Sequence, residues 1–217
     1  MKFPLHWLFL FFIFSSIVLA SIEAWGQHQG FTEVKDIAGF KLQFRQSAVK
    51  VNSLKGEFAQ EKTMAAITEK IRSRGTLWFK RDNKVRMDYT TPFLYKVVIN
   101  GDRMAISDNN HETKVNAASN KLFQQINRIM IDCMQGTILD SKDFSSKVFE
   151  NESRYLIELV PTAKNLKPFL STIILTIDKK DHSPDAIELN EPSGDKTSIV
   201  LKNKSINGQL QDEVFSI

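Results

Sequence analysis

One cysteine in 217 residues, Cys133, rules out an intramolecular disulfide. Stability must come from an apolar core, and a chain of this length can bury one of ample size. Basic residues never run five in a row. The net charge of +4 is spread among alternating Lys, Arg, Asp and Glu, so the concentrated basic stripe of a nucleic-acid binder is missing. Histidine is scarce, at four residues, and none stands at metal-ligand spacing from another His, Cys or pair of acids. His111-Glu112 lacks the second His of a zinc-helix motif. There is no G-x-S-x-G, no phosphate loop and no dinucleotide fingerprint. Cys133, among Ile and Met, reads as a small buried hydrophobe and not a nucleophile. The expectation is no enzyme, no metal and no cofactor.

The N-terminus has a different character. Lys2 is followed by an almost unbroken apolar run, Leu8 to Leu19, and then by the small-residue stretches Val18-Leu19-Ala20 and Ala24-Trp25-Gly26. That run falls short of the roughly 20 residues that span a bilayer. It predicts an export leader over residues 1–26, cut between about 20 and 26. No cysteine follows to take a lipid anchor. The rest, 27–217, contains no linker, repeat or low-complexity tract and reads as a single exported domain.

Residues 32–51 predict an amphipathic helix, with Thr32 as cap and Ile37, Phe40, Phe44, Ala48 and Val51 on one stripe. Strands follow at Ser53–Met64, Thr68–Lys80, Lys84–Thr90, Tyr95–Asn100, Arg103–Asp108 and Thr113–Asn116. In them Leu77 and Phe79 point one way and Trp78 and Lys80 the other. Val85, Met87 and Tyr89 share a face opposite Arg86 and Asp88. Ser119–Gln135 predicts a second helix, ended by Gly136, with Leu122, Ile126, Ile129, Met130, Cys133 and Met134 inward. The C-terminal half reads as strands at Lys147–Glu150, Arg154–Val160, Ser171–Asp178, Asp185–Asn190 and Lys196–Lys204. His111 and His182 are placed in turns. Consecutive strands at this spacing predict a large antiparallel sheet or barrel. Its apolar face is either a plain core closed by the two helices or a surface under a removable cover, and composition alone leaves both open.

Several segments together resemble the LolA-like family of outer-membrane lipoprotein carrier proteins. They are Leu54-Lys55-Gly56-Glu57-Phe58-Ala59-Gln60, Ser73-Arg74-Gly75-Thr76-Leu77-Trp78-Phe79-Lys80-Arg81, Lys84-Val85-Arg86-Met87-Asp88-Tyr89, Pro92 and Val97-Val98-Ile99-Asn100-Gly101. The resemblance covers nearly all of 27–217. It implies a mainly β fold with some helix: an antiparallel sheet curved into an incomplete barrel, its concave side covered by helices. It implies a periplasmic, monomeric carrier that takes acyl chains of lipid-modified proteins from an inner-membrane ABC transporter, with a LolB-like receptor at the outer membrane. The implied acyl-chain cavity is lined by Phe58, Leu77, Phe79, Val85, Met87, Tyr89, Leu122, Ile126, Met130 and Met134. Arg81 is implied as the latch that ties down the cover. Asp82 stands where the family often has Pro, and Ala48 where it often has Leu. The same resemblance allows a carrier of another lipid or lipid-like pigment intermediate, or a regulatory sensor.

Overall fold

The computed structural model describes residues 28–67, 69–81, 83–108, 128–129, 131–132 and 135–217, together with the backbone of 111–115. The chain divides into two units, residues 1–31 and Thr32–Ile217. In the first, residues 28–30 turn, and the Phe31 amide donates to the His28 carbonyl at 3.0 Å. The predicted leader, 1–26, lies outside the described residues. All that follows concerns the second unit.

Among its described residues, twelve strands form one antiparallel sheet. They are β1 (Thr32–Glu33), β2 (Ser53–Thr63), β3 (Lys70–Lys80), β4 (Lys84–Thr91), β5 (Tyr95–Asn100), β6 (Arg103–Asp108), β7 (His111–Val115), β8 (Phe144–Glu150), β9 (Arg154–Pro161), β10 (Thr172–Asp178), β11 (Pro184–Asn190) and β12 (Lys196–Ile206). The order is β1-β8-β9-β10-β11-β12-β2-β3-β4-β5-β6-β7. Two hairpin meanders are thus fused where β12 pairs with β2. No ladder joins β1 to β7 among the described residues, so the sheet is open.

Alternation builds the faces. On β10, Ile173, Leu175 and Ile177 are buried while Thr172, Ile174 and Thr176 are half-buried. On β4, Val85, Met87 and Tyr89 are buried between more exposed neighbours. Tight turns use residues that tolerate positive φ: Asn83 (φ 62°) between β3 and β4, and Gly101 (φ 61°) between β5 and β6.

The first helix is shorter than predicted. It is α1, Ile37–Ala48, and its cap is Asp36, whose Oδ1 accepts from the Gly39 amide at 2.9 Å. A Cβ on Gly39 would lie 2.2 Å from Asp36 Oδ2, so a larger residue there would displace the tip of the cap side chain. Thr32 is not the cap: with Glu33 it forms β1, paired to β8. Helix propensity there yields to a sheet edge that needs a partner. His111 likewise starts β7 and does not lie in a turn.

Among the described residues, two apolar clusters form the core. One joins Phe40 and Phe44 of α1 to Val148, Ile157, Leu159, Ile173, Leu175 and Ile177 of β8–β10, and to Ile138 and Leu139 of a 3-10 turn, Ile138–Asp140. The other is carried by β2–β6 and β12. Of the second predicted helix, residues 128, 129, 131, 132 and 135 are helical and described. Ile129 is buried in the first cluster and Ile131 in the second. Two positions apart on an α-helix lie about 200° round the axis, so this segment packs on both sides. The predicted stripe omitted Ile131, because one amphipathic face was assumed where two are used.

Candidate functional site

The second cluster gathers the six candidate cavity residues that the structure describes. Phe58, Leu77, Phe79, Val85, Met87 and Tyr89 are all buried in it, with Leu54, Ile99, Met104 and Ile131. Strand register puts them side by side: Leu77 opposite Met87, Phe79 between Leu54 and Val85, and Gly75 between Phe58 and Tyr89. Leu122, Ile126, Met130 and Met134 lie outside the described residues, as do Asp82 and Cys133.

Gly75 shapes one end of this face. A Cβ there would sit 1.9 Å from the Asp88 carbonyl oxygen and 2.8 Å from the Phe58 ring. The β3–β4 register shifts between Arg74 and Gly75, a bulge that brings the Asp88 carbonyl close. The Phe58 ring fills the space that a side chain on Gly75 would occupy. It meets Tyr89 edge-on, with centroids 4.8 Å apart, and Tyr89 stacks on Tyr95 at 3.9 Å.

The face is not purely hydrocarbon. Tyr89 Oη donates to Gln60 Oε1 at 3.1 Å. Burial, then its hydrogen bond with Tyr95, pushes the Tyr89 hydroxyl well above its ordinary range, so it stays neutral. Burial raises Tyr95 too, although its bond to Tyr89 acts the other way. Gln60 and Tyr89 both belong to motifs visible in the sequence. Their pairing was not foreseen, since it depends on β2 and β4 flanking β3 in register.

At the opposite end of β3, Arg81 enters the turn before β4. Its amide donates to the Asn52 carbonyl at 2.9 Å, its Nε to the Val51 carbonyl at 3.0 Å, and its Nη2 to the Ala48 carbonyl. Ala48 ends α1, where carbonyls lack helical partners. Arg81 therefore caps the C-terminal end of the first helix from the sheet. In the same turn, Asn83 Oδ1 accepts from Gln135 Nε2 at 3.2 Å. One turn thus holds the end of α1 and a residue of the second helical segment. These two meet directly: a Cβ on Gly136 would lie 2.3 Å from the Ala48 Cβ.

The outward residues of the same strands bind the C-terminal segment. Trp78 lies between Lys55 Nζ and the Arg86 guanidinium, 5.7 and 5.2 Å from its ring centre. Arg86 is bidentate to Asp88 and also donates to the Val214 carbonyl at 3.0 Å. Lys80 and Lys84 reach Asp212 at 2.6 and 3.0 Å. Phe215, fully buried, ends a 3-10 turn, Asp212–Phe215, packed on β4 and β5. Sequence reading assigned nothing to this segment, because its strand partners are over a hundred residues away.

A pocket of about 500 Å³ is lined by Glu57, Phe58, Ala59, Arg74, Gly75, Thr76, Thr90 and Lys202, and among the described residues it shares only Phe58 with the predicted cavity. Among the described residues, no three His, Cys, Asp or Glu side chains come together as a metal site would need.

A family profile described as outer membrane lipoprotein carrier protein LolA matches residues 49–217. Similar solved structures include a LolA superfamily protein from Nitrosomonas europaea, 12% identical, covering 82% of this chain and 97% of that one at TM-score 0.42. Another is a putative outer membrane lipoprotein-sorting protein domain from Vibrio parahaemolyticus, 11% identical, covering 81% and 94% at TM-score 0.46. A third is the MucA/MucB complex of Pseudomonas aeruginosa, 12% identical, covering 83% and 60% at TM-score 0.46. No curated protein matches the chain by sequence.

Proposed function

Since the chain belongs to the LolA family of outer membrane lipoprotein carrier proteins, we propose that it is a periplasmic carrier for the acyl chains of lipid-modified proteins. The leader over 1–26 exports it, and an inner-membrane ABC transporter loads it. It delivers its cargo at the outer membrane, to a LolB-like receptor where one is present. Among the described residues, no helix is long and apolar enough to cross a membrane.

The observation that supports this reading most is the apolar face of β2–β6 lying under a helical residue, Ile131, with the cover tied at one turn. An acyl chain of about 16 carbons gains roughly 12 kcal/mol on leaving water, so a lipoprotein needs an apolar escort to cross an aqueous space. Phe58, Leu77, Phe79, Val85, Met87 and Tyr89 offer that surface. They are covered in the structure, so cargo enters only when the cover moves. The cost of moving it weakens net binding and allows release. In this reading Arg81 is the latch, sharing its guanidinium between two carbonyls at the end of α1. The chemistry here is binding, and no residue acts as a catalyst.

Mass spectrometry of protein recovered from the periplasm tests this. The expected co-purified ligand is an acylated polypeptide. A different lipid or a pigment intermediate would move the function to the alternative cargo within the same fold. Absence of any ligand, together with no uptake of a synthetic lipopeptide by lipid-stripped protein, would overturn the carrier reading.

A further inference from the structure

The outward face of the sheet carries a concavity of its own. Glu57, Ala59, Arg74, Thr76, Thr90 and Lys202 make most of the wall of the pocket of about 500 Å³. They alternate along their strands with the buried Phe58, Leu77, Tyr89 and Leu201, so they stand on the face away from the apolar cluster. Ale at the centre is avoided by a small residue: Ala59 pairs with Val200 on one side and Arg74 on the other, and offers a single methyl group. The β3–β4 register shifts between Arg74 and Gly75, and such a bulge bends the strands. Thr90 falls within that shift, and its Oγ1 donates to the Arg74 carbonyl at 3.2 Å.

The cations of this pocket are free. Glu57 and Lys202 are directly opposite on β2 and β12, yet Glu57 Oε2 turns to accept from Asn203 Nδ2 at 3.0 Å. Among the described residues, the side chains of Arg74 and Lys202 have no ion-pair or hydrogen-bond partner. The neighbouring acids are engaged. From the level of Glu61 to that of Lys55, the outward positions of β12 and β2–β4 hold Lys55, Arg72, Arg74, Arg86 and Lys202 against Glu57, Glu61 and Asp88. Glu61 is held by Lys70 and Arg72, and Asp88 by the Arg86 fork. The next strands add Lys96, opposite Asp88, and Glu188, which Lys196 holds at 2.6 Å. Lys204, beyond Lys202, is bound to Asp185 at 2.6 Å.

We infer that this pocket binds a phosphate ester, its phosphoryl oxygens between the Arg74 guanidinium and the Lys202 ammonium. The two residues flank β2, two strands and two residues apart, which separates their Cα atoms by about 12 Å. Two extended basic side chains converge on one group across that span. A carboxylate is satisfied by a single guanidinium. A phosphate monoester presents three strong acceptor oxygens and nearly two charges, and so takes both cations together with the Thr76 hydroxyl. Glu57 adds an acceptor to the same wall, which favours a donor beside the phosphate, as in an ethanolamine phosphate. A pocket of this volume accommodates such a ligand. The group is supplied by a soluble phosphate ester or by a lipid headgroup, and both present the same chemistry. The site lies on the other face from the proposed acyl-chain surface and does not depend on it.

The test is calorimetric titration with O-phosphoethanolamine at fixed ionic strength, on protein recovered after export. One ligand per chain is expected. Arg74→Gln and Lys202→Gln should each weaken binding about tenfold or more, with unchanged thermal unfolding, since both side chains are exposed. Ala59→Leu fills the pocket, keeps every charge and should weaken binding as much. Arg72→Gln removes an equal charge outside the pocket and should change affinity less than about twofold. Co-sedimentation with mixed phosphatidylethanolamine and phosphatidylcholine vesicles is the second arm. Vesicle binding that Arg74→Gln abolishes makes the lipid headgroup the source, and soluble binding alone makes it a free phosphate ester. No saturable binding in either arm would overturn the inference. So would an Arg72→Gln variant weakened as much as Arg74→Gln, or an Ala59→Leu variant that binds like the parent.

Discussion

Arg81 Nε donates to the carbonyl of Val51 at 3.0 Å, and the same guanidinium reaches the carbonyl of Ala48. Both acceptors lie where α1 ends, so one side chain of the sheet fixes the exit of the first helix. Charged donors to backbone carbonyls contribute about 1.5–3 kcal/mol each, less where water competes. Arg81→Leu is therefore expected to lower unfolding free energy by about 1–3 kcal/mol in urea titrations. Arg81→Lys should recover part of the loss, since one ammonium cannot span both carbonyls as a planar fork does. With the closed empty form weakened, bound lipopeptide should leave the variant more slowly. Identical release rates for R81L and the parent would argue against the latch.

The same corner depends on a missing side chain. Gly136 has φ 74°, and a Cβ placed on it would lie 2.3 Å from Ala48 Cβ. Gly136→Ala suffers both backbone strain and overlap, and a loss of about 2–4 kcal/mol is expected. Ala48→Leu adds bulk to the same contact and should cost about 1–3 kcal/mol. Pairing Gly136→Ala with Ala48→Gly should return the steric part of the loss and leave the conformational part. Thermal unfolding of the three variants checks this; additive losses would mean that the two residues do not share a contact.

The alternating faces of β3, β4 and β10 could be read from the chain, because a period of two allows only one apolar face per strand. The same alternation put Leu77 with Phe79, and Val85 with Met87 and Tyr89, on one face of their strands; that these residues and Phe58 share one lining came from the family resemblance. What the chain hid was longer-ranged. Thr32 has the chemistry of a cap, yet it serves as a strand because β8 offers it an edge. Ile131 breaks a single helical stripe because its segment is packed from two sides. Asp212 and Phe215 look like an ordinary polar-apolar tail, and only the outward faces of β3–β5 give them partners. Pairing across more than a hundred residues leaves no mark on local periodicity.

Gly75 tests whether the bulge is required. The nearest atom to a built Cβ is the Asp88 carbonyl oxygen at 1.9 Å, and the Phe58 ring follows at 2.8 Å. A ring can turn aside, whereas a carbonyl in a β ladder cannot without breaking pairing. Gly75→Ala is thus expected to cost about 2–4 kcal/mol. Phe58→Ala should cost a similar amount through the cavity it leaves. The double variant should not regain the stability lost by Gly75→Ala, because the carbonyl clash remains. Recovery in the double variant, measured by urea unfolding, would show that the ring and not the backbone sets the requirement.

Tyr89 makes the pH dependence of this face specific. Burial, then its hydrogen bond with Tyr95, raises its pKa above the ordinary value of about 10. The folded state then holds the phenolic proton more tightly than the unfolded chain. Stability from this group is complete below about pH 10 and falls as pH rises past it, by up to about 1.4 kcal/mol per unit. Tyr89→Phe removes that slope. It also leaves Gln60 without the hydroxyl that donates to it, at a cost of about 1 kcal/mol near neutrality. The variant is therefore expected to be the less stable protein at pH 8, and the gap should close or reverse by about pH 12. Urea unfolding at one-unit intervals checks this. Parallel curves for the two proteins across that range would mean that the hydroxyl is not shielded by the sheet, and that this end of the apolar face is open to water.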